Sequence, residues 1–485
     1  MLKPFKIPMV LMFVTVAILV IGELADGTSL FFVSMMAATL ICIGITYNFL
    51  GGLSTVSGIA FSGFALSTIV ISQFAKVIFF EPADTPLEAP QLTIEVYFVF
   101  YLCVMIGCFV YGRLRFRSIK PLDPVTVAQA NLQYAISLAA GLIASAVFEI
   151  NEAASNATGE KGNEAHSVGL AFSTLLLFSL VIAVQSRIRE SGGSHSFGVK
   201  VFIPWVAILL FGFLQTSRGR MALPSVVYGF TCYFSGYRFK RRHVVTAVCG
   251  LVFFQFVLSP FAIYQRGALR SLDFRGRIRE SLAFFASPPS WTVITEASKG
   301  GVQSGSREEY FFRSGTFVLS RLSAIRADSN MISACSTGYH YGFIALRMDV
   351  LHMIPQFLYK DKPTEDSAAF TGRVTGVNPD YVENGEAMIT AVSDSFGAFG
   401  WLGVIFVGLL VFPITFIIYE SIFDFHRPWG IVAIGGFCFT FAQVALGGLV
   451  QDMVRAPIAI LSLSYIVGTV VRMIPTGGDS GPAFE

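Results

Sequence analysis

The chain has 485 residues, of which 54% are hydrophobic and only 13% are charged, and its mean hydropathy is +0.66. A soluble protein of that make-up would be coated in apolar surface, so composition excludes an ordinary soluble domain and implies a polytopic membrane protein. The net charge of +3 gives no reason to expect nucleic acid as a partner, and the basic residues matter through their placement.

A membrane-spanning helix needs roughly 20 apolar residues. Blocks of that kind lie near 7–23, 28–50, 56–80, 93–112, 132–150, 167–186, 200–215, 221–238, 243–263, 389–419, 429–449 and 454–472. They predict an all-α bundle of about twelve transmembrane helices, because an open sheet edge would leave backbone groups unpaired in lipid. The first block has a basic lead in Lys3 and Lys6, but Glu23, Asp26 and another apolar block follow at once. It therefore reads as a retained helix and not a cleaved signal peptide. Six of the seven cysteines (Cys42, Cys103, Cys108, Cys232, Cys249 and Cys438) fall inside apolar blocks, and Cys335 stands alone in a long polar stretch. No CxxC pair or Cys/His cluster occurs, so neither a structural metal nor a loop disulfide is expected.

Lys and Arg accumulate on the cytoplasmic side of membrane proteins. With the N-terminus inside, the inner connections receive Arg113, Arg115, Arg117 and Lys120, then Arg187, Arg189 and Lys200, then Arg238, Lys240, Arg241 and Arg242, and finally Arg427 and Arg472. The outer connections, Glu23 to Asp26, Glu81 to Glu88 and Glu149 to Glu164, are mostly acidic. The expected organisation is a transmembrane bundle of nine helices over 1–263, a large external loop over 264–388 between helices 9 and 10, helices 10–12 over 389–475, and a cytoplasmic tail at 476–485. Both termini come out cytoplasmic.

The exceptions to this charge rule mark a site. Arg218 and Arg220 stand at the outer end of the short seventh block, and Arg455 follows Gln451-Asp452 at the outer mouth of the last. Arginine near bilayer depth is costly and tends to face a protein-lined cavity; snorkelling to the headgroups is the competing reading for any one of them. The loop adds many more arginines, Arg321, Arg326 and Arg373 among them, interspersed with acids. Guanidinium forks match phosphate oxygens, so an anionic ligand is the natural thing for part of this set to hold. Within the loop, Arg307 to Arg326 and Tyr339 to Met353 carry apolar residues at roughly helical spacing. They read as amphipathic helices that could roof the spans, or as a packed loop subdomain.

At this point the residues carry a resemblance. Ser217-Arg218-Gly219 at an outer helix end, the long late loop, Ile354-Pro355-Gln356-Phe357-Leu358 leading to Asp361-Lys362-Pro363, and Ser395-Phe396-Gly397-Ala398-Phe399-Gly400-Trp401-Leu402-Gly403 opening the next helix look like the O-antigen and exopolysaccharide repeat-unit polymerases of the Wzy type, which are related to the O-antigen ligases. The resemblance covers mainly residues 210–230 and 340–410. Where this chain has Gln356 the family commonly has Arg, and where many members show an acid and Asn before the Phe-Gly this chain has Asp394 and Ser395.

The resemblance implies a membrane-embedded glycosyltransferase of the C type (GT-C) in the bacterial inner membrane. Its substrates would be lipid-linked oligosaccharides, with a growing glycan on undecaprenyl pyrophosphate transferred to an incoming repeat unit at the periplasmic face. A chain-length regulator protein is the partner it suggests, beside the membrane lipids. On that reading Arg218 and Arg220 grip the pyrophosphate with Arg455 beside them, Lys362 and Arg373 reach it from the loop, and Arg321 and Arg326 are further candidates. A pyrophosphate leaving group needs charge stabilisation more than a general acid, and a sugar hydroxyl needs a base within reach. His340 is the preferred base, with Asp394 and Glu386 as rivals, and Tyr339 and Tyr341 are candidate sugar-stacking aromatics; a surface histidine between two tyrosines is the competing reading. No cofactor and no metal are expected, in keeping with the lack of a DxD pair in the sequence. An O-antigen ligase, which moves a finished glycan to a lipid or protein acceptor, would share all these features. A polysaccharide flippase or other transporter is the non-enzyme alternative.

Overall fold

The computed structural model describes residues 6–124, 126–158, 164–258, 272–287, 324–354, 389–442 and 444–474, with isolated positions at 262, 264, 265, 269, 290, 359, 370 and 371. Among these residues every regular element is a helix. In chain order they are α1 (Met9–Ala25), α2 (Leu30–Phe49), α3 (Val56–Phe79), α4 (Pro90–Tyr111), α5 (Val127–Thr158), α6 (Glu164–Glu190), α7 (Val199–Leu214), α8 (Arg218–Phe234) and α9 (Arg241–Phe253). Three loop helices follow: α10 (Phe274–Ala286), α11 (Ile325–Cys335) and α12 (Ile344–Met353). The chain then returns through α13 (Ala391–Ile422), α14 (Pro428–Phe441) and α15 (Leu446–Met473).

Seven helices among the described residues are long and apolar enough to cross a membrane: Leu30–Ser54, Val56–Phe79, Pro90–Tyr111, Val127–Ala154, Ala171–Glu190, Ala391–Ile422 and Leu446–Met473. Met9–Ala25, Val199–Leu214 and Pro428–Cys438 are apolar but shorter. The expected block at 221–238 corresponds to α8, which opens on Arg218 and Arg220 and has 17 residues. The block at 243–263 begins in α9, which opens on Arg241, Arg242 and His243 and runs into a π-turn at Phe254–Leu258, and the rest of that block lies largely outside the described residues. The protein is therefore a multi-pass helical membrane protein.

Local signals place the helix ends. Ser29 caps α2 by accepting the Phe32 N–H at 3.4 Å, Thr55 caps α3 through the Gly58 N–H at 3.1 Å, and Pro90 opens α4, where a missing N–H costs nothing. Thr28 donates to Glu23 at 2.7 Å, and the Ala83 N–H donates to the same carboxylate at 2.8 Å. An acid expected merely to lie on the outer side thus ties the α1–α2 turn to the end of α3.

Between lipid-facing helices the hydrophobic effect gives little drive, so association depends on close van der Waals packing and small residues. The crossing of α4 and α13 is built that way. A Cβ on Gly107 would come within 2.3 Å of the Leu409 carbonyl oxygen, and one on Gly408 within 2.8 Å of the Phe100 carbonyl oxygen. An aromatic core fills the space around it: Phe412 meets Phe64 at 5.0 Å and Phe441 at 4.9 Å, Tyr419 stacks on Phe437 at 3.8 Å, and Trp429 stacks on Phe178 at 3.7 Å. Helices 10–12 of the expected layout are thus threaded through the first bundle, and the two form one core.

The bundle has two chemically different ends. One gathers the end of α2, α4 and α6 and the start of α5, α7, α9 and α14, together with Arg113, Arg115, Arg117, Lys120, Arg187, Arg189, Lys200, Arg427 and Arg472. Ile7 and Asn48 exchange hydrogen bonds at 2.8 Å there, and the tail of α15 packs on Leu122 through Gly468, so both described extremities of the chain lie at this basic end. The described helices of the 264–388 stretch all dock at the opposite end.

Candidate functional site

The loop helices are not laid over the bundle but inserted into its end. In α11 the residues Ile325, Asp328, Ser329, Met331, Ile332 and Cys335 are buried against α4 and α13. Asp328 is the anchor. Its carboxylate accepts the Thr390 N–H at 3.0 Å, the Thr390 hydroxyl at 2.6 Å, and the hydroxyls of Ser393 and Tyr97. Burial pushes this carboxyl above its ordinary range, and the hydrogen bonds from Ser393, Thr390 and Tyr97 pull against that rise.

The Ser395-to-Gly400 run, which carries the resemblance, has a physical task in this structure. The Tyr341 and Gly342 N–H groups donate to the carbonyls of Gly397 and Ala398 at 3.2 and 2.9 Å, so residues 341–342 lie directly along the opening of α13. A Cβ on Gly397 would come within 2.7 Å of the Tyr341 ring, and Gly400, at φ +61°, leaves room for the His340 ring, whose Nε2 would be 3.0 Å from a Cβ there. The His340 ring also meets Phe396 edge-on at 5.8 Å. The glycines therefore seat the 340–342 segment.

Asp394 lies at the centre of this seat. One oxygen accepts the Tyr341 hydroxyl, which also donates to the Asp394 carbonyl at 2.9 Å, and the other accepts the Leu446 N–H at 2.8 Å, at the first turn of α15. Burial, and then the neighbouring Asp394 carboxylate, hold the Tyr341 hydroxyl well above the usual phenol range. Burial pushes the Cys335 thiol up to about 11. Asp394 is thus a buried joint between loop, α13 and α15, Tyr341 is a buried part of that joint, and His340 and Tyr339 are exposed beside it.

The second cluster is a cavity of about 450 Å3 lined by α5, α6, α7, α8, α14 and α15. Arg220 and Arg455, far apart in sequence, both line it, with Gln215, Thr440, Gln451 and Asp452 as the other strongly polar residues. The remaining wall is mostly apolar, including Phe148, Leu176, Ile208 and Leu223. The Arg220 guanidinium lies over the Phe148 ring, 4.8 Å from its centroid, which holds a charged group against an apolar wall. Behind it, Gln215 donates to Glu149, and Arg220 and the buried Arg277 of α10 both act electrostatically on that carboxylate. The loop helix α10 thus reaches the carboxylate behind the cavity wall.

Two placements differ from those read in the sequence. Arg218 and Arg220 do not end the seventh helix; they open α8, whose N-cap Ser217 accepts the Arg220 N–H at 3.4 Å. Helix α15 starts at Leu446, so Gln451, Asp452 and Arg455 sit inside its second and third turns and not at its mouth. At α8 the Ser217 cap sets the boundary, and at α15 the Leu446 N–H is taken by Asp394 of α13; neither is visible to a hydropathy window. Of the expected site residues, the structure brings Arg220 and Arg455 together in the cavity. It places His340, Tyr341 and Asp394 in the neighbouring seat, Arg218 on the first turn of α8 and Arg326 on the first turn of α11. Arg321, Lys362, Arg373 and Glu386 lie outside the described residues, as does most of the Ile354-to-Pro363 run.

Sequence reasoning passed over Gln215 and Thr440 as site residues and named Asp452 only as a neighbour of Arg455. A polar residue inside an apolar block was the available signal, at Gln215 and Thr440, and it does not say which cavity the side chain faces. Among the described residues no group of three or more His, Cys, Asp or Glu could hold a metal ion. Comparison of the chain with protein-family models, curated proteins and solved structures finds no match.

Proposed function

We propose that this protein is a membrane glycosyltransferase of the repeat-unit polymerase type, which transfers a glycan from a lipid pyrophosphate carrier to the sugar of an incoming lipid-linked unit. The observation that carries the reading is the convergence of Arg220 and Arg455 on one largely apolar cavity at the end of the bundle where the loop helices dock. Two preorganised guanidiniums facing a largely apolar wall can stabilise an anion that develops charge between them. The apolar wall suits a polyprenyl chain, and the loop end suits the sugars. The charge rule makes the loop end periplasmic and the basic end cytoplasmic, which fits a carrier presented at the outer leaflet of an inner membrane. Arg218, one residue pair before Arg220 at the start of α8, joins the grip on phosphate, and the positive end of the α8 dipole adds to it.

On this reading His340 and Tyr339, exposed beside the opening of α13, meet the sugars. A ligase, which differs in its acceptor, shares the same machinery. The test is reconstitution of the purified chain in vesicles with synthetic undecaprenyl-pyrophosphate-linked repeat units, reading product length on a gel. A ladder of increasing length is expected from the wild type. Arg220→Ala and Arg455→Ala should each lower the rate by about 100-fold or more, as loss of one preorganised donor does elsewhere. Normal ladders from both variants, or from Arg218→Ala and Arg218→Lys together, would overturn the assignment of these arginines. Transfer of one preformed chain to a lipid A type acceptor, without a ladder, would identify a ligase.

A further inference from the structure

The cavity contains one carboxylate among its described lining residues, Asp452. It is 9% exposed. Its Oδ2 accepts the Thr440 hydroxyl of α14 at 2.8 Å, and its main-chain carbonyl accepts the Tyr419 hydroxyl of α13 at 3.0 Å. Arg455 stands three residues further along the same helix, about 4.5 Å along its axis, and no cation lies within ion-pair distance of Asp452 among the described residues. An ionisable group held in the membrane by a single neutral donor is expensive to keep, and such groups mark function.

The other acids near the site are occupied or set back. Asp394 has both oxygens engaged by Tyr341 and Leu446, and Glu149 lies behind Gln215 and does not line the cavity. His340 does not line it either. Asp452 is therefore the basic atom best placed to meet a hydroxyl whose reaction partner is held by Arg220 and Arg455.

We infer that Asp452 is the general base of the transfer, an inference that rests on the glycosyltransferase reading above. The acceptor hydroxyl oxygen forms a bond to the anomeric carbon of the carrier-linked glycan. The bond from that carbon to the pyrophosphate oxygen breaks, and its electron pair leaves with the carrier, where Arg220 and Arg455 face the new charge. The hydroxyl proton passes to Oδ1 of Asp452, while Thr440 holds Oδ2 and so orients the carboxylate. Thr440 is a positioning residue in this scheme.

The polar and charged groups around Asp452 are Thr440 and Tyr419, which donate to it from α14 and α13, Arg455 on its own helix, Arg220 in the cavity lining, and Glu149 outside that lining. In the vesicle assay, Asp452→Asn should lower kcat by roughly 100- to 10,000-fold, the range for loss of a positioned base, with KM changed little. It should also remove the acid limb of the pH–rate profile. Asp452→Glu should retain part of the rate with that limb displaced, and Thr440→Val should displace it without abolishing turnover. If Asp452→Asn does not fold, the Asp452→Glu and Thr440→Val profiles decide, because a limb unmoved in both overturns the inference. An Asp452→Asn protein with a normal rate and limb overturns it directly and leaves the transferase reading standing. A wild type that makes no glycosidic product but moves the lipid-linked unit across the vesicle would remove the transferase reading itself, and the base with it.

Discussion

Asp123, Asp328 and Asp394 show how single acids are accommodated in this apolar protein. Asp328 and Asp394 are buried and collect donors on both oxygens, so each works as a joint. Asp123, in the connection between α4 and α5 at the basic end, accepts one N–H from Trp429 at 3.1 Å. Burial pushes its carboxyl up to about 7, against the pull of that hydrogen bond and of Arg427 and with a smaller push from Asp424. A carboxyl raised in the folded state binds its proton more tightly than in the unfolded chain, so the stability it contributes is complete below about pH 4 and is lost as the pH rises through about 7. Replacement Asp123→Asn removes this titration. Melting temperatures of purified wild type and variant between pH 4 and pH 8 should therefore diverge, with the wild type losing stability across that window and the variant keeping a flatter profile.

At the scale of elements, α11 is the part of the long loop most firmly built into the bundle. Asp328 joins it to Tyr97 of α4 and to Thr390 and Ser393 at the opening of α13, while Met331 packs on Gly397. Removing the carboxylate would strand several buried donors, each worth about 1–3 kcal/mol when left unpaired. Asp328→Ala should lower the melting temperature and release α11. Cys335, at 1% exposure, should then react with a maleimide that leaves it untouched in the wild type. The same joint explains why the Ser395-to-Gly400 run was legible as a motif. Its glycines are needed because the 340–342 backbone and the Tyr341 and His340 rings press against them. What the run does not disclose is that Asp394 serves this joint; a Ser-flanked acid near a helix start reads equally well as a cap or a base.

For the whole molecule, the asymmetry of its two ends is the governing feature. The cations of the short connections gather at one end and the described loop helices at the other. If the charge rule sets the orientation, a cysteine placed at exposed Thr337 in a cysteine-free background should label with an impermeant maleimide from outside intact cells. One at exposed Ser194 should label only after permeabilisation. The reverse pattern would invert the topology and move the Arg220–Arg455 cavity to the cytoplasmic side.

Class, helical architecture and charge asymmetry follow from the sequence alone, because hydropathy and the distribution of Lys and Arg are properties of composition along the chain. The same reading picked out Arg220 and Arg455, since arginine in an apolar setting is conspicuous wherever it folds. Only the tertiary structure decided that these two meet, that α15 starts early enough to carry Asp452 into their cavity, and that α10 and α11 are built into the bundle. Those outcomes depend on contacts between different helices, such as Thr440 of α14 with Asp452 of α15, and between residues far apart in the chain, such as Asp328 with Tyr97 across the fold. A one-dimensional pattern of apolar and polar residues records which groups are costly to bury but not which partner makes the burial tolerable.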